Sequence, residues 1–136
     1  MAVTQISGSV KSKAFPKTAS TALAANSLVT LTSGKLAAAT SSSLSLAGIL
    51  PRAVVAADDD YASASMVPVI SLHDGATFLM ATTSADAATH VGNSYDLADA
   101  VSVNLSGTTY KQVTVVKVIS STLIEVQFNR SVLATA

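Results

Sequence analysis

Cysteine and tryptophan are absent from this chain, so neither a disulfide framework nor a thiolate metal site is open to it. Aromatic residues are few, three Phe and three Tyr, and a core would use most of them. Charge is scarce as well, with Asp, Glu, Lys and Arg making up only 12% of the residues. The most apolar stretch, SLAGILPRAVVAA, is broken by Pro51 and Arg52 and cannot span a bilayer. The opening MAVTQISGSVKSKAF lacks a hydrophobic region of signal-peptide length. No membrane partner is expected, and the product is expected to stay in the cytoplasm where it is made unless it leaves within a larger particle.

What is abundant is small. Ala, Ser, Thr and Val account for 75 of the 136 residues. Many β-branched residues and few charges argue for a β-rich protein with a polar, nearly uncharged surface. A chain of this length suits one domain able to bury roughly 68% of its unfolded surface, and its low charge argues against disorder.

A net charge of zero conceals a segregation. Residues 1–57 carry Lys11, Lys13, Lys17, Lys35 and Arg52 and no acid; residues 58–99 carry Asp58, Asp59, Asp60, Asp74, Asp86, Asp96 and Asp99 and no base. Blocks of opposite sign in one small domain favour head-to-tail contacts between copies, or docking on a charged partner.

Residues 1–22 hold three Lys, the breakers Gly8 and Pro16, and no sustained periodicity. They read as an extended arm, poorly ordered alone, that could add a strand to a partner's sheet edge. Residues 23–136 read as one β-rich domain. Ser27–Thr32 (SLVTLT) is a strand with Val29 and Leu31 on one face and Leu28, Thr30 and Thr32 on the other. Ser33-Gly34 turns it back into 35–39 (KLAAA). Strands follow at Leu46–Leu50 (LAGIL), 52–57 (RAVVAA), 66–72 (MVPVISL) and Thr77–Ala81 (TFLMA), with Pro68 marking the third of these as an edge or bulged strand. His73-Asp74-Gly75 makes a turn. Residues 84–92 are the one plausible helix, capped by Ser84 and ended by Gly92. Val101, Val103 and Leu105 alternate with polar residues as a half-buried strand. Residues 110–119 and 122–128 form a hairpin with Ile124, Val126 and Phe128 inward. The expected fold is mainly β, a small barrel or sandwich of short antiparallel strands with at most one or two short helices and an extended N-terminal arm.

Chemistry is hard to find. Ser and Asp are so plentiful that a Ser-His-Asp match with His73 or His90 carries no weight, and no G-x-S-x-G elbow is present. Asp58, Asp59 and Asp60 could hold Ca²⁺, but adjacent Asp residues point apart and no loop of EF-hand pattern completes them, so a solvated turn is preferred. His73-Asp74 reads as a turn, not a metal pair. Lys11, Lys13 and Lys17 lack interleaved aromatics and the chain is neutral, which argues against nucleic acid. No catalytic residue, metal or cofactor is expected.

The segment LVTLTSGKLAAATSSSLSLAGILPRAVVAADDDYASASMVPVISLHDG, residues 28–75, runs strand, tight turn, Lys-Leu-x-Ala, polar loop, Gly-Ile-Leu, Ala-Val-x-Ala. It resembles the small head-decoration proteins of tailed bacteriophages, the lambda-like kind. The resemblance implies a virion structural protein, made in the bacterial host cytoplasm, that binds the outer surface of the expanded capsid. It also implies trimers at local threefold positions that bridge neighbouring major capsid protein subunits, and an N-terminal arm that orders on the capsid. The C-terminal third, YDLADAVSVNLSGTTYKQVTVVKVISSTLIEVQF, departs from the pattern by being longer and richer in strands. On this reading Val3, Ile6, Val10, Lys11, Lys13, Phe15 and Lys17 form the capsid-binding arm. Lys35, Leu46, Ile49, Arg52, Val67 and Val69 are candidates for self-association. The rivals are another virion component (tail tube, connector or fibre base) and a surface or glycan-binding β module, which would be expected to expose Trp or Tyr and to carry a secretion signal.

Overall fold

The computed structural model describes residues 3–73 and 75–134, so Asp74 of the expected turn lies outside the described residues. In chain order the elements are β1 (Thr4–Ser7), β2 (Ser12–Pro16), β3 (Ser27–Thr32), β4 (Lys35–Ala38), β5 (Leu46–Leu50), β6 (Met66–Ile70) and β7 (Thr77–Ala81). They continue with α1 (Ala87–His90), β8 (Ser94–Leu97), β9 (Val103–Asn104), β10 (Val113–Ser120), β11 (Leu123–Phe128) and a 3-10 turn (Arg130–Val132). The strands make two antiparallel sheets, one in the order β1-β7-β11-β10-β8-β9 and the other in the order β2-β6-β5-β3-β4. The protein is mainly β, a small sandwich.

Side-chain alternation explains why two sheets suffice. In β11, Ile124, Val126 and Phe128 are buried while Gln127 faces solvent. They meet Phe78 and Met80 of β7 and Val113 and Val115 of β10, together with Leu28, Leu46 and Ile49 from the five-stranded sheet. Phe78 and Phe128 pack edge to face at 5.3 Å. The five-stranded sheet has a second core on its other face: Phe15, Leu23, Val29, Leu36, Ala47, Leu50, Val54 and Val69. Covered on both faces, β5 is buried at every position, and its sequence is accordingly a continuous apolar run instead of an alternation.

A bulge makes that arrangement possible. Against β3, Gly48 lies opposite Val29 but Leu46 lies opposite Thr30, so Ala47 is an extra residue. The slip puts Leu46 and Ile49 in the inter-sheet core and Ala47 and Leu50 in the second core.

Each sheet also curls towards closure. A parallel bridge between Lys17 and Leu36 joins the end of β2 to β4, and one between Ala81 and Ser102 joins β7 to the start of β9. Meeting edges at these points leaves less unpaired backbone to template association.

The N-terminal segment departs most from expectation. Among the described residues of 1–22 there is no separate arm. β1 pairs with β7, and β2 pairs with β6 along its whole length. Val3 and Phe15 are buried, one in each core. The boundary placed at residue 22 therefore does not divide the molecule. The physical reason is that the segment is split between two sheets, each taking one short strand, and no single periodicity spans it.

Smaller differences have local causes. Residues 52–57 form no strand: apart from a bridge between Val54 and Leu23 they are irregular, with a turn at 56–57. The helix spans only Ala87–His90 and is capped by Asp86, whose carboxylate accepts from the Ala88 amide; Ser84 sits at φ 56. The alternation at 101–105 gives a strand at Val103–Asn104 only. β8 was not anticipated.

Candidate interaction surfaces

The seven residues read as an arm split into two groups. Val3, Phe15 and Lys17 are buried and are structural. Ile6 and Val10 are exposed, Val10 at 70%, and Lys11 and Lys13 lie on the surface with them. The Lys13 ammonium sits 5.7 Å from the centre of the Phe15 ring. Only this second group is available to a partner.

Lys17 corrects an expectation outright. Its side chain is 1% exposed, and its Nζ donates to the carbonyl oxygens of Asp60 at 2.8 Å, Tyr61 at 3.1 Å and Ser63. Three donors meet three acceptors, the complement a buried ammonium requires. The Lys17 amide also donates to the Ser65 carbonyl at 3.0 Å. The acidic loop is thus gathered around a cation from its own chain, and the opposite charge blocks meet here within one molecule. The neighbouring Asp60 carboxyl is held below its ordinary value, first by the Ser65 hydroxyl that donates to it and then by Lys17 and Arg52 nearby.

The self-association candidates also divide. Leu46, Ile49 and Val69 are buried within the two cores, so strand β5 cannot face a neighbour. It is covered on both sides, which its uninterrupted apolar sequence already signals. Lys35 and Arg52 are exposed and Val67 is half-buried.

A groove opens beside β6. Ile49 is the β5 residue paired with β6, opposite Ile70. Continuing that register would set Pro51 against Pro68, two residues with no amide hydrogen. The chain leaves the ladder there, and Val54 exchanges hydrogen bonds with Leu23 instead, at 2.9 and 3.0 Å. The gap is a cavity of about 390 Å³ lined by Lys17, Arg52, Val54, Met66, Pro68 and the three acids Asp58, Asp59 and Asp60. Met66 stands on its wall at 62% exposure. A second apolar surface lies on the six-stranded sheet, where register slips in β10 leave Val116 and Ile119 exposed.

Two buried polar residues escaped the sequence reading. Asp96 is buried on β8, and its carboxylate accepts from the amides of Thr109 (3.2 Å), Tyr110 (2.7 Å) and Lys111 (2.7 Å). Gln112 is fully buried; its Oε1 accepts from the Leu97 amide at 2.8 Å, and its Nε2 donates to the carbonyls of Ser41 and Ser43. Both organise loops. Both histidines are engaged too. His73 Nε2 donates to the Ser9 carbonyl at 2.6 Å. His90 Nδ1 accepts from the Asp86 amide, and its ring packs edge-on against Tyr95.

Among the described residues, no group of three His, Asp or Glu side chains converges as metal ligands, and no helix is long and apolar enough to cross a membrane. Comparison with family models, with curated proteins and with solved structures finds no match for this chain.

Proposed function

We propose that the protein is a structural component of a tailed-phage virion. It binds the outer surface of the expanded capsid as trimers and cements neighbouring major capsid protein subunits, acting through contact area and not through catalysis. The observation that carries this reading is the coincidence of sequence and architecture at residues 28–75. The stretch that resembles lambda-like decoration proteins forms β3, β4, β5 and β6, four of the five strands of one sheet. The resemblance thus falls on one coherent structural unit, not on scattered segments.

Physical chemistry supports the role. Small side chains let backbones approach closely, and Ser and Thr supply hydrogen bonds at little rotamer cost. Three linked copies raise avidity by ~10²–10⁴ over one modest contact. The capsid-facing candidates are the exposed Ile6 and Lys13 of the N-terminal segment, whose cation suits an acidic capsid surface.

The test is to mix purified protein with bare expanded capsids of its own virion and image them. Density at repeated sites on the outer surface is expected, together with raised resistance of the capsids to heat. Bare capsids after saturating addition would refute the reading.

A further inference from the structure

We propose that the groove beside β6 is one half of a head-to-tail contact between copies of this chain. Its occupant is the turn of the neighbouring copy that carries Val10 and Lys11. The two most exposed large apolar side chains among the described residues are Val10 at 70% and Met66 at 62%. They stand at opposite ends of one ribbon: β2 and β6 pair from Ser12 with Ile70 to Pro16 with Met66. At ~3.3 Å per residue the six steps between Val10 and Pro16 separate them by roughly 20 Å, too far to cover each other within one chain. A neighbour stacked end to end covers both.

The charges are complementary. The turn is flanked by Lys11 and Lys13, in a stretch with no acid before Asp58. The groove is lined by Asp58, Asp59 and Asp60 against Arg52 and Lys17, so acids outnumber cations three to two, and the Lys17 ammonium is already committed to three carbonyl oxygens. Val10 entering beside Met66 removes apolar surface from water on both sides, and Lys11 meets the carboxylate of Asp59. Because the two surfaces differ, the contact is heterologous, and it closes into a ring when the rotation between copies permits. This inference supplies the surface for the trimers of the proposed function. Its test needs no capsid.

Two variants, each blind in one surface, decide it. Val10→Ser/Lys11→Ser loses the turn and keeps the groove; Asp59→Ser/Met66→Ser loses the groove and keeps the turn. Both pairs change exposed side chains, and unchanged circular dichroism and melting temperature serve as the folding check. By sedimentation the wild type is expected to associate with rising concentration. Each variant alone is expected to associate at least tenfold more weakly, and an equimolar mixture to form a 1:1 dimer that grows no further. A second set, Lys11→Glu with and without Asp59→Lys, should show loss and then recovery of association. The proposal is overturned by a wild type that stays monomeric to millimolar concentration, by either blind variant assembling like the wild type, or by a mixture that remains monomeric. A wild type that stays monomeric yet decorates capsids would leave the capsid reading standing while removing this one, and a dimerising mixture alongside a wild type that ignores capsids would do the reverse.

Discussion

Gly48 lies so close to Ile70 that a Cβ at position 48 would sit 2.2 Å from the Ile70 carbonyl oxygen. The approach is backbone against backbone, in the middle of a sheet covered on both faces, and neither partner can swing away. Gly48→Ala should therefore force β5 and β6 apart at the pair Ile49–Ile70 and cost about 3 kcal/mol or more. Gly34 is the control. It also has positive φ, 79°, but a Cβ there meets nothing within 4 Å, so Gly34→Ala should cost only about 1–2 kcal/mol. Urea midpoints for the two variants measure the difference, and equal midpoints would contradict the packing account.

The ammonium of Lys17 predicts a second effect. Lys17→Met keeps the length of the side chain but strands the carbonyls of Asp60, Tyr61 and Ser63. The loop is partly open to water, which can satisfy some of them, so a loss of about 1–3 kcal/mol is expected. Protease cleavage should rise within residues 58–65 before the rest of the chain responds. Uniform cleavage along the chain would show that Lys17 is not the loop's tie.

Gln112 links the serine loop to the opposite sheet. Gln112→Leu leaves three groups without their partner: the buried Leu97 amide and Ser43 carbonyl and the more exposed Ser41 carbonyl. A loss of about 3 kcal/mol is expected, with amide hydrogen exchange speeding up at Leu97 and around residues 40–44 together. Faster exchange in only one of these places would mean that the side chain does not couple them.

These two residues mark where sequence reading runs out. The strands β3, β5 and β7 were legible with their full bounds because each is a short apolar or alternating run between turn residues. The inward set Ile124, Val126 and Phe128 was legible because one face of β11 is solvated. Lys17 was not: it sits among Lys11 and Lys13 in sequence, and nothing local shows that carbonyl oxygens more than forty residues away converge on it. β8 was missed because Asp96 reads as a strand breaker until the three amides of residues 109–111 that bind its carboxylate are in view. The prolines at 51 and 68 were each legible as breaks, but that a continued ladder would set them opposite one another depends on the register of Ile49 and Ile70.

Asp60 gives the loop a pH dependence. Its carboxyl is held low in the folded chain, chiefly by the Ser65 hydroxyl. A depressed folded value means that the contribution is fully present above the ordinary aspartate value of 3.8. It is lost as pH falls through the lower folded value. Chemical shifts of the Ser63 and Ser65 amides should titrate in that acid window, while Asp60→Asn should flatten the curve. A curve centred at or above 3.8 would contradict the assignment.

Deleting residues 2–17, the obvious way to test a detachable arm, should unfold this protein. The cut removes Val3 from one core, Phe15 from the other, the whole of β2 beside β6, and the Lys17 ammonium. Losing Phe15 alone is worth about 3–5 kcal/mol, a large share of the stability of a small domain. The truncated chain is expected to lose its cooperative melting transition. Ile6→Ser/Lys13→Ser, which alters only exposed positions on the same segment, should keep a melting temperature within a few degrees of wild type. A truncated protein that melts cooperatively near the wild-type temperature would show that the segment is an appendage after all, and that the two N-terminal strands contribute little to either core.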